Sequence, residues 1–337
     1  MHSTREPRDS ELRIGVVGIP DGWSTIALLD AVERRTGFRH LIDMSDVSVD
    51  FERGRALSRG LDICELDAII VKKIAKTYTP SAIDRLELLS YVESRGPRLF
   101  SKPERMIPLI DRVSGTVKLQ RGRIPMPPTV VTEDLEQAIA VIERYGACVL
   151  KPLFSTKARG MEVLRRPEDE AQRAALVSTL ERYTQTFGPV LYLQKLLELP
   201  GRDLGVVFLG GEYLATYARV KQADSWTSST AAGGRYQAYD PPEEIIALAR
   251  RAQSLFKLDF TCVDVVETED GPKVFEVSAF GGFRGLKVAC GIDAAARYVE
   301  HVINQLAAGT SDGSQTEPTR AARRPSSQEQ EGVQARA

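Results

Sequence analysis

Apolar and polar positions alternate along the chain with two periods. The runs "LRIGVVGI" (12–19), "DAIIVKK" (67–73) and "ACVLKPL" (147–153) are short and nearly continuous, and read as buried strands. Between the first two, "WSTIALLDAVERRTG" (23–37) carries apolar residues at helical spacing and ends on a glycine stop. "TPSAIDRLELLSYVESRG" (79–96) is a further helix, opened by Thr79 and Pro80 and closed by Gly96. This alternation predicts an N-terminal parallel α/β layer over 12–105, with 67–73 as its second strand. The proline-rich "IPMPPT" (124–129) marks a stiff turn near a boundary. A unit over 106–188 then holds a helix (132–145), the strand 147–153, the strand "MEVLRR" (161–166) and a helix near 168–186. A unit over 189–309 opens with "PVLYLQKLLE". It continues as a hairpin over 203–220 that turns at Gly210–Gly211, a helix (241–257), two strands between Phe260 and Ser278, and a helix near 292–307. The middle and last units read together as α+β. Residues 1–11 and 310–337 are polar and predict disordered tails, because they hold too little apolar surface to offset ordering entropy.

Composition narrows the chemistry. The 337 residues carry a net charge of −1 with 27% charged side chains, which gives no nucleic-acid or polybasic-membrane signature. No apolar run approaches the ~20 residues of a membrane span. The N-terminus lacks a signal-peptide core. Cys64, Cys148, Cys262 and Cys290 are scattered without metal-binding spacing, as expected of reduced thiols in a cytoplasmic protein. The three histidines, His2, His40 and His301, leave few parts for a serine or cysteine catalytic engine or a zinc site. Chemistry on this chain must rest on carboxylates, lysines and arginines.

Two carboxylates stand inside apolar strands. Asp264 lies in "FTCVDVV" and Glu276 in "KVFEVS", and the turn "TEDGP" between them suits a hairpin. Adjacent strands sit about 4.8 Å apart, so both side chains can aim at one point. Two carboxylates there repel and raise each other's pKa unless a cation lies between them. Mg2+ takes hard oxygen ligands and shares them with substrate phosphates. The plain alternative, a pair of outward-facing acids, stays open on these residues alone. Lys151 ends an apolar strand before the basic, small-residue loop "FSTKARGM", where an ammonium reaches a phosphate and loop N–H groups cradle others. Taken alone, a snorkelling surface lysine is the favoured reading of it.

These segments resemble one family. "LKPLFSTKARGM" is similar to the strand and phosphate loop of ATP-grasp enzymes, and "YLQKLLELPGRD" to their hinge and following strand. "VDVVETEDGPKVFEVSAFGGFRG" resembles the metal-binding finish of the RimK-like branch, and "GIDAAARYVEHVI" its closing helix. "LIDRVSGTVKLQRGRIPMPPTVV" is similar to the segment entering the nucleotide lobe, with Arg112 where the family has a lysine. The likeness spans about residues 12 to 307 and implies a two-lobed ATP-grasp fold behind the α/β layer, with 106–188 as the nucleotide lobe and 189–309 as the metal-bearing lobe.

The resemblance also implies roles. Lys151 and Arg112 would hold phosphates. Gln194, Lys195 and Leu197 would line the adenine slot, with Asp203 toward the ribose. Asp264, Glu276 and Ser278 would bind Mg2+, with Mn2+ as a substitute. Arg219 would face the phosphates and the acyl group, and Arg235 and Arg284, in a Gly282–Arg284–Gly285 turn, would border the acceptor. Lys72 and Lys73 read as a solvated edge, although the family places a basic residue there in the substrate cleft. "GVVGIPDGWS" only loosely resembles a phosphate-binding turn, because the family's N-terminal layer serves the acceptor or dimerisation.

Departures stand beside the match. Ser278 replaces the family's asparagine ligand, and Ser155 and Ala158 stand where phosphate-loop glycines are usual. "DSWTSSTAAGG" (224–234) carries Thr227, Ser229 and Ala232 in place of arginine, asparagine and arginine, with Trp226 as a ligand-stacking aromatic or equally a lid or core one. Lys221, Arg235 or Arg284 would have to restore that charge.

The implied reaction joins a carboxylate to an amine through an acyl phosphate, at the expense of ATP. It needs positioning and charge neutralisation rather than a histidine base. The substrates implied are small-molecule or peptide carboxylates and amines, with no nucleic acid or membrane partner and a homo-oligomeric state. Two further readings stand beside it: a kinase-like phosphotransferase without amide formation, and a nucleotide-binding regulatory protein that has lost turnover.

Overall fold

The computed structural model describes residues 12–155, 158–221 and 234–312. The expected tail 1–11, residues 313–337 of the other tail, and Trp226, Thr227, Ser229 and Ala232 lie outside these residues, whereas residues 310–312, expected in the disordered tail, continue the last helix instead.

The N-terminal layer runs β1 (Ile14–Val17), α1 (Trp23–Thr36), β2 (His40–Ile42), β3 (Val47–Asp50), β4 (Arg55–Ser58), β5 (Leu61–Asp62), β6 (Ala68–Val71), α2 (Ser81–Arg95) and β7 (Arg98–Phe100). Four of these strands form a parallel sheet ordered β2-β1-β6-β7. Every residue of β1 and β6 is buried, which explains their unbroken apolar runs. Gly37 ends α1 at φ +71°, a conformation that glycine adopts without a Cβ penalty. The remaining strands form the antiparallel meander β3-β4-β5. The expectation that 67–73 is the second strand is therefore corrected: it is the sixth. The meander strands are two to four residues long and include Asp50, Arg55 and Asp62, too short and too charged for a periodic signal.

The middle unit runs α3 (Pro103–Met106), α4 (Arg112–Arg121), β8 (Thr129–Thr132), α5 (Leu135–Tyr145), β9 (Ala147–Leu150), β10 (Glu162–Arg165), α6 (Glu170–Phe187) and β11 (Leu191–Lys195). Its antiparallel sheet is ordered β10-β9-β11-β8, so β11 belongs here although it follows residue 188. Asp134 caps α5 by accepting from the N–H groups of Glu136 and Gln137. Ile142, Leu150, Leu180 and Leu193 join the helices to the sheet.

The last unit runs β12 (Arg202–Leu209), β13 (Glu212–Val220), β14 (Arg235–Ala238), α7 (Glu243–Ser254), β15 (Phe260–Val266), β16 (Lys273–Ser278), α8 (Arg284–Cys290) and α9 (Ala294–Asp312). Its five strands are antiparallel, in the order β14-β13-β12-β15-β16. Val263 and Val265 share a core with Leu248 and Ala249 of α7. Cys262 and Phe260, on the opposite face, share one with Ile14 and Leu28 of the N-terminal layer. The last sheet thus packs against both neighbours, and its second face borders the cleft described next. Among the described residues no helix is long and apolar enough to cross a membrane.

Candidate active site

Register aligns one row of polar side chains on the last sheet. Asp264 of β15 is the direct antiparallel partner of Glu276 of β16, and Cys262 that of Ser278. Directly opposed residues share a face, and so do residues two apart. Asp264, Glu276 and Ser278 therefore point the same way. After that pair the register shifts, and Val265 pairs with Val274, which leaves Phe275 as the extra residue of a bulge. On the other side, Gly205 of β12 opposes both Asp264 and Tyr217, and Asp203 opposes Arg219. The same face thus carries Asp203, Tyr217, Arg219, Asp264, Glu276 and Ser278.

Each carboxylate on this face meets an arginine. Arg219 donates through Nε to Asp203 at 3.0 Å and stands 3.0 Å from Asp264 Oδ1. Arg112 is the first residue of α4, held there by the N-cap Asp111. Its side chain donates to Glu276 at 3.1 Å, to the Pro152 carbonyl at 3.1 Å and to Ser155 Oγ at 3.4 Å. Arg112 therefore ties the segment that carries Pro152 and Ser155 to the strand that carries Glu276.

Lys151 follows β9 and is 9% exposed. Its ammonium donates to Gln194 Oε1 at 2.5 Å, and Gln194 donates in turn to Thr129 Oγ1 at 3.1 Å. Burial, reinforced by the charge of Arg112, pushes the Lys151 ammonium down to about 7. Burial also raises Asp264 to about 6 against the pull of Arg219. Glu276 lies at the open side of the face with its side chain half exposed, and the partial desolvation that would raise it is outweighed by Arg112 and Lys151, which hold the carboxyl below its usual range. The face opens into a cleft of about 310 Å³ whose walls include Arg112, Tyr192, Arg219, Asp264, Glu276 and Ser278.

Other expected residues fall at varying distances from this centre. Lys195 is exposed at the end of β11, its N–H donating to the Pro128 carbonyl at 2.8 Å, and Leu197 lies two residues beyond, half-buried. Asp203 is buried and engaged by Arg219. Arg235 opens β14 and is exposed. Arg284 opens α8 rather than sitting in a turn, and its guanidinium lies 5.6 Å from the Trp23 ring of the N-terminal layer. Arg235 and Arg284 do not line the cleft, and neither do Lys151, Gln194, Lys195, Leu197 and Asp203. Lys221 donates its N–H to the Gly201 carbonyl at 2.9 Å. The solvated-edge expectation fails for Lys72, which is 5% exposed beneath Phe283, whereas Lys73 does line the cleft. The pattern ends β6 in two lysines, but the chain turns inward at the first. Sequence reasoning also missed Tyr78, Tyr192, Tyr217 and Phe280, all on the cleft wall. Nothing in their sequence context separates them from core aromatics.

The donors fit a hard cation. Among the described residues no group of three His, Cys, Asp or Glu side chains forms a self-sufficient metal cage. Two carboxylates and the Ser278 hydroxyl on one face instead suit Mg2+ that completes its shell with substrate phosphates.

Residues 111–302 match the RimK-like ATP-grasp domain. The chain belongs to the RimK-like ATP-grasp family. It is 25% identical over 330 residues to the tetrahydromethanopterin:alpha-L-glutamate ligase of Methanosarcina acetivorans, covering 87% of this chain and 99% of that protein. It is also 25% identical over 194 residues to the glutamate--LysW ligase ArgX of Sulfurisphaera tokodaii, covering 57% and 68%. The ATP-grasp ligase PsnB, solved with a precursor variant, Mg and ADP, superposes with a TM-score of 0.68 at 20% identity, over 88% of this chain and 99% of that one. The fold of this RimK-like chain is accordingly that of the ATP-grasp ligases.

Proposed function

We propose that this RimK-like chain uses the cleft to join the amine of an amino acid, glutamate by likeness to its relatives, to a carboxylate on a small molecule or peptide. The reaction class is ATP-dependent carboxylate–amine ligation, with ATP and Mg2+ as cofactors. The observation that carries the assignment is the single face on which Asp264 and Glu276 oppose one another, each held by an arginine, beside Lys151.

Asp264, Glu276 and Ser278 would hold Mg2+, or Mn2+ in its place. The ion supplies charge neutralisation on the phosphates when bound. Lys151 and Arg112 bind phosphate oxygens. Gln194 orients Lys151, and the β11 end with Lys195 and Leu197 borders the base. An acceptor carboxylate oxygen attacks the γ-phosphorus as the bond to the β-phosphate oxygen breaks, giving an acyl phosphate and ADP. The amine nitrogen then attacks the acyl carbon, phosphate leaves, and the amine releases its proton. Arg219 would stabilise the charge developing on the transferred group, with Asp203, its hydrogen-bond partner, orienting it. The N-terminal layer, through Lys73 and Tyr78, forms the acceptor side, with Arg235 and Arg284 further out. A cytoplasmic, homo-oligomeric protein fits this role.

ADP release measured with glutamate and a panel of carboxylates, with mass spectrometry of the product, tests the reading. Amine-dependent ADP and an amide product support it. Amine-independent ADP would instead indicate phosphotransfer alone, and ATP binding without turnover a regulatory protein. Those outcomes remain of interest because Ser278 replaces an asparagine and the 224–234 stretch is substituted.

A further inference from the structure

Lys72 is buried, yet nothing in the reaction above uses it. Its backbone N–H closes the end of β6 onto the Val17 carbonyl at 2.9 Å. Its ammonium leaves the N-terminal layer altogether and donates to the carbonyl of Gly281, 209 residues later. The Phe283 ring lies 4.0 Å from the same nitrogen and the Phe260 ring 5.6 Å, so the charge sits against two aromatic faces.

Stability does not account for a lysine here. A buried ammonium has three N–H groups to satisfy, and burial pushes this one down to about 7, with the neighbouring Lys73 adding to the effect. Replacing a buried charge with an apolar side chain of similar length is often neutral or stabilising. A methionine would fill the same channel between Phe260 and Phe283.

The position of Gly281 suggests a different purpose. It lies between Ser278, at the end of β16, and Arg284, at the start of α8. The turn packs directly onto β15: a Cβ on Gly281 would come within 3.1 Å of the Cys262 nitrogen and 3.0 Å of the Phe260 ring. Ala279, Phe280 and Gly282 line the cleft, and the Phe280 N–H donates to Ser278 Oγ at 3.3 Å. Phe280 meets the Tyr78 ring edge-on at 5.9 Å, at the end of the cleft bordered by the N-terminal layer. Lys72 therefore grips from behind the segment whose front forms that wall.

Building on the ligase reading, we propose that Lys72 is a positioning residue: it fixes the Ala279–Gly282 turn, and so the acceptor-side wall of the cleft, from the N-terminal layer. It touches neither nucleotide nor reacting atoms. Its loss acts on acceptor binding and alignment, leaving the nucleotide end intact.

The test is Lys72→Met in the full chain, with two readouts. Hydrogen exchange of the 279–283 amides should quicken by about tenfold or more while exchange elsewhere stays as in the parent protein. The acceptor KM should rise about tenfold, with ATP affinity and thermal midpoint unchanged. Gly281→Ala, which displaces the same turn from the β15 side, should give the same kinetic pattern, and the double variant should be no worse than the more impaired single variant. Parent-like exchange at 279–283 in Lys72→Met overturns the proposal. So does a uniform fall in midpoint, ATP affinity and turnover, which would make Lys72 merely structural. If Lys72→Met does not fold, a Gly281→Ala enzyme with parent-like acceptor KM overturns it instead. Should the parent protein show no acceptor-dependent ADP release, the ligase reading fails, and the exchange measurement still decides the role of Lys72.

Discussion

Arg112 and Glu276 are 164 residues apart in the chain and 3.1 Å apart in space. The pair ties the start of α4 to β16, the edge strand of the last sheet, while Arg219 ties Asp264 to Asp203. When either carboxylate is neutralised, Arg219 keeps Asp203 and Arg112 keeps the Pro152 carbonyl and Ser155 Oγ, so neither guanidinium is left bare and the sheet should still fold, at a cost in stability. Asp264→Asn and Glu276→Gln keep shape and hydrogen bonding while removing the negative charge that a divalent ion requires. Each should lower Mg2+-dependent ATP turnover by about 10²–10³, the usual effect of losing one electrostatic partner at a reacting phosphoryl or acyl group. Circular dichroism should stay that of the parent protein. Near-parent turnover in either variant would refute the metal assignment.

Arg112 serves three partners at once: Glu276, the Pro152 carbonyl and Ser155 Oγ. A lysine cannot fork to all three but still supplies a cation toward the phosphates. Arg112→Lys should therefore hold the ATP KM within about tenfold, whereas Arg112→Met should raise it by about 10- to 100-fold, the worth of a charge-assisted hydrogen bond. Equal kinetics for the two variants would mean that the charge of Arg112 is not used on the nucleotide.

Much of this arrangement is legible in the sequence. The strands bearing Asp264 and Glu276 stood out because carboxylates interrupt apolar runs, and the short turn between them set a hairpin. Lys151 was marked by its place at a strand end before a small-residue loop. Long amphipathic helices such as α2 and α6 were equally clear. The meander β3-β4-β5 was not, because strands of two to four residues give no period. Helix α4 was obscured by Gly115 and by β-branched Val113, Thr116 and Val117, and is secured by the Asp111 cap. The burial of Lys72 was invisible because its partner, Gly281, lies 209 residues away and offers only a carbonyl.

Tyr217 makes two glycines indispensable for packing. A Cβ on Gly205 would stand 2.5 Å from its ring, and one on Gly285 would stand 2.6 Å from it. Gly285 lies within α8, where helix propensity alone predicts that alanine gains about 1 kcal/mol. The clash opposes this, since overpacking a buried ring costs about 1–3 kcal/mol. Packing should win, so Gly205→Ala and Gly285→Ala should both lower the thermal midpoint by several degrees. A higher midpoint for Gly285→Ala would show that the ring yields freely.

The pH profile should separate the ionisation of Asp264 from that of Lys151. Asp264 must be ionised to hold a divalent cation, and burial raises its carboxyl to about 6. As pH falls through that value the protonated form accumulates, so Mg2+-dependent kcat/KM should fall on the acid side. Lys151 must be protonated to hold phosphate, and burial lowers it to about 7. As pH rises through that value the free enzyme loses the ammonium, so kcat/KM should fall on the alkaline side as well. Bound ATP favours the charged lysine, so the alkaline limb of kcat should lie at higher pH than that of kcat/KM. Lys151→Met should have a lower kcat/KM that retains the acid limb and loses the alkaline one. An alkaline limb that survives in Lys151→Met would assign that ionisation to another group, of which Lys72, also lowered to about 7, is the first to test.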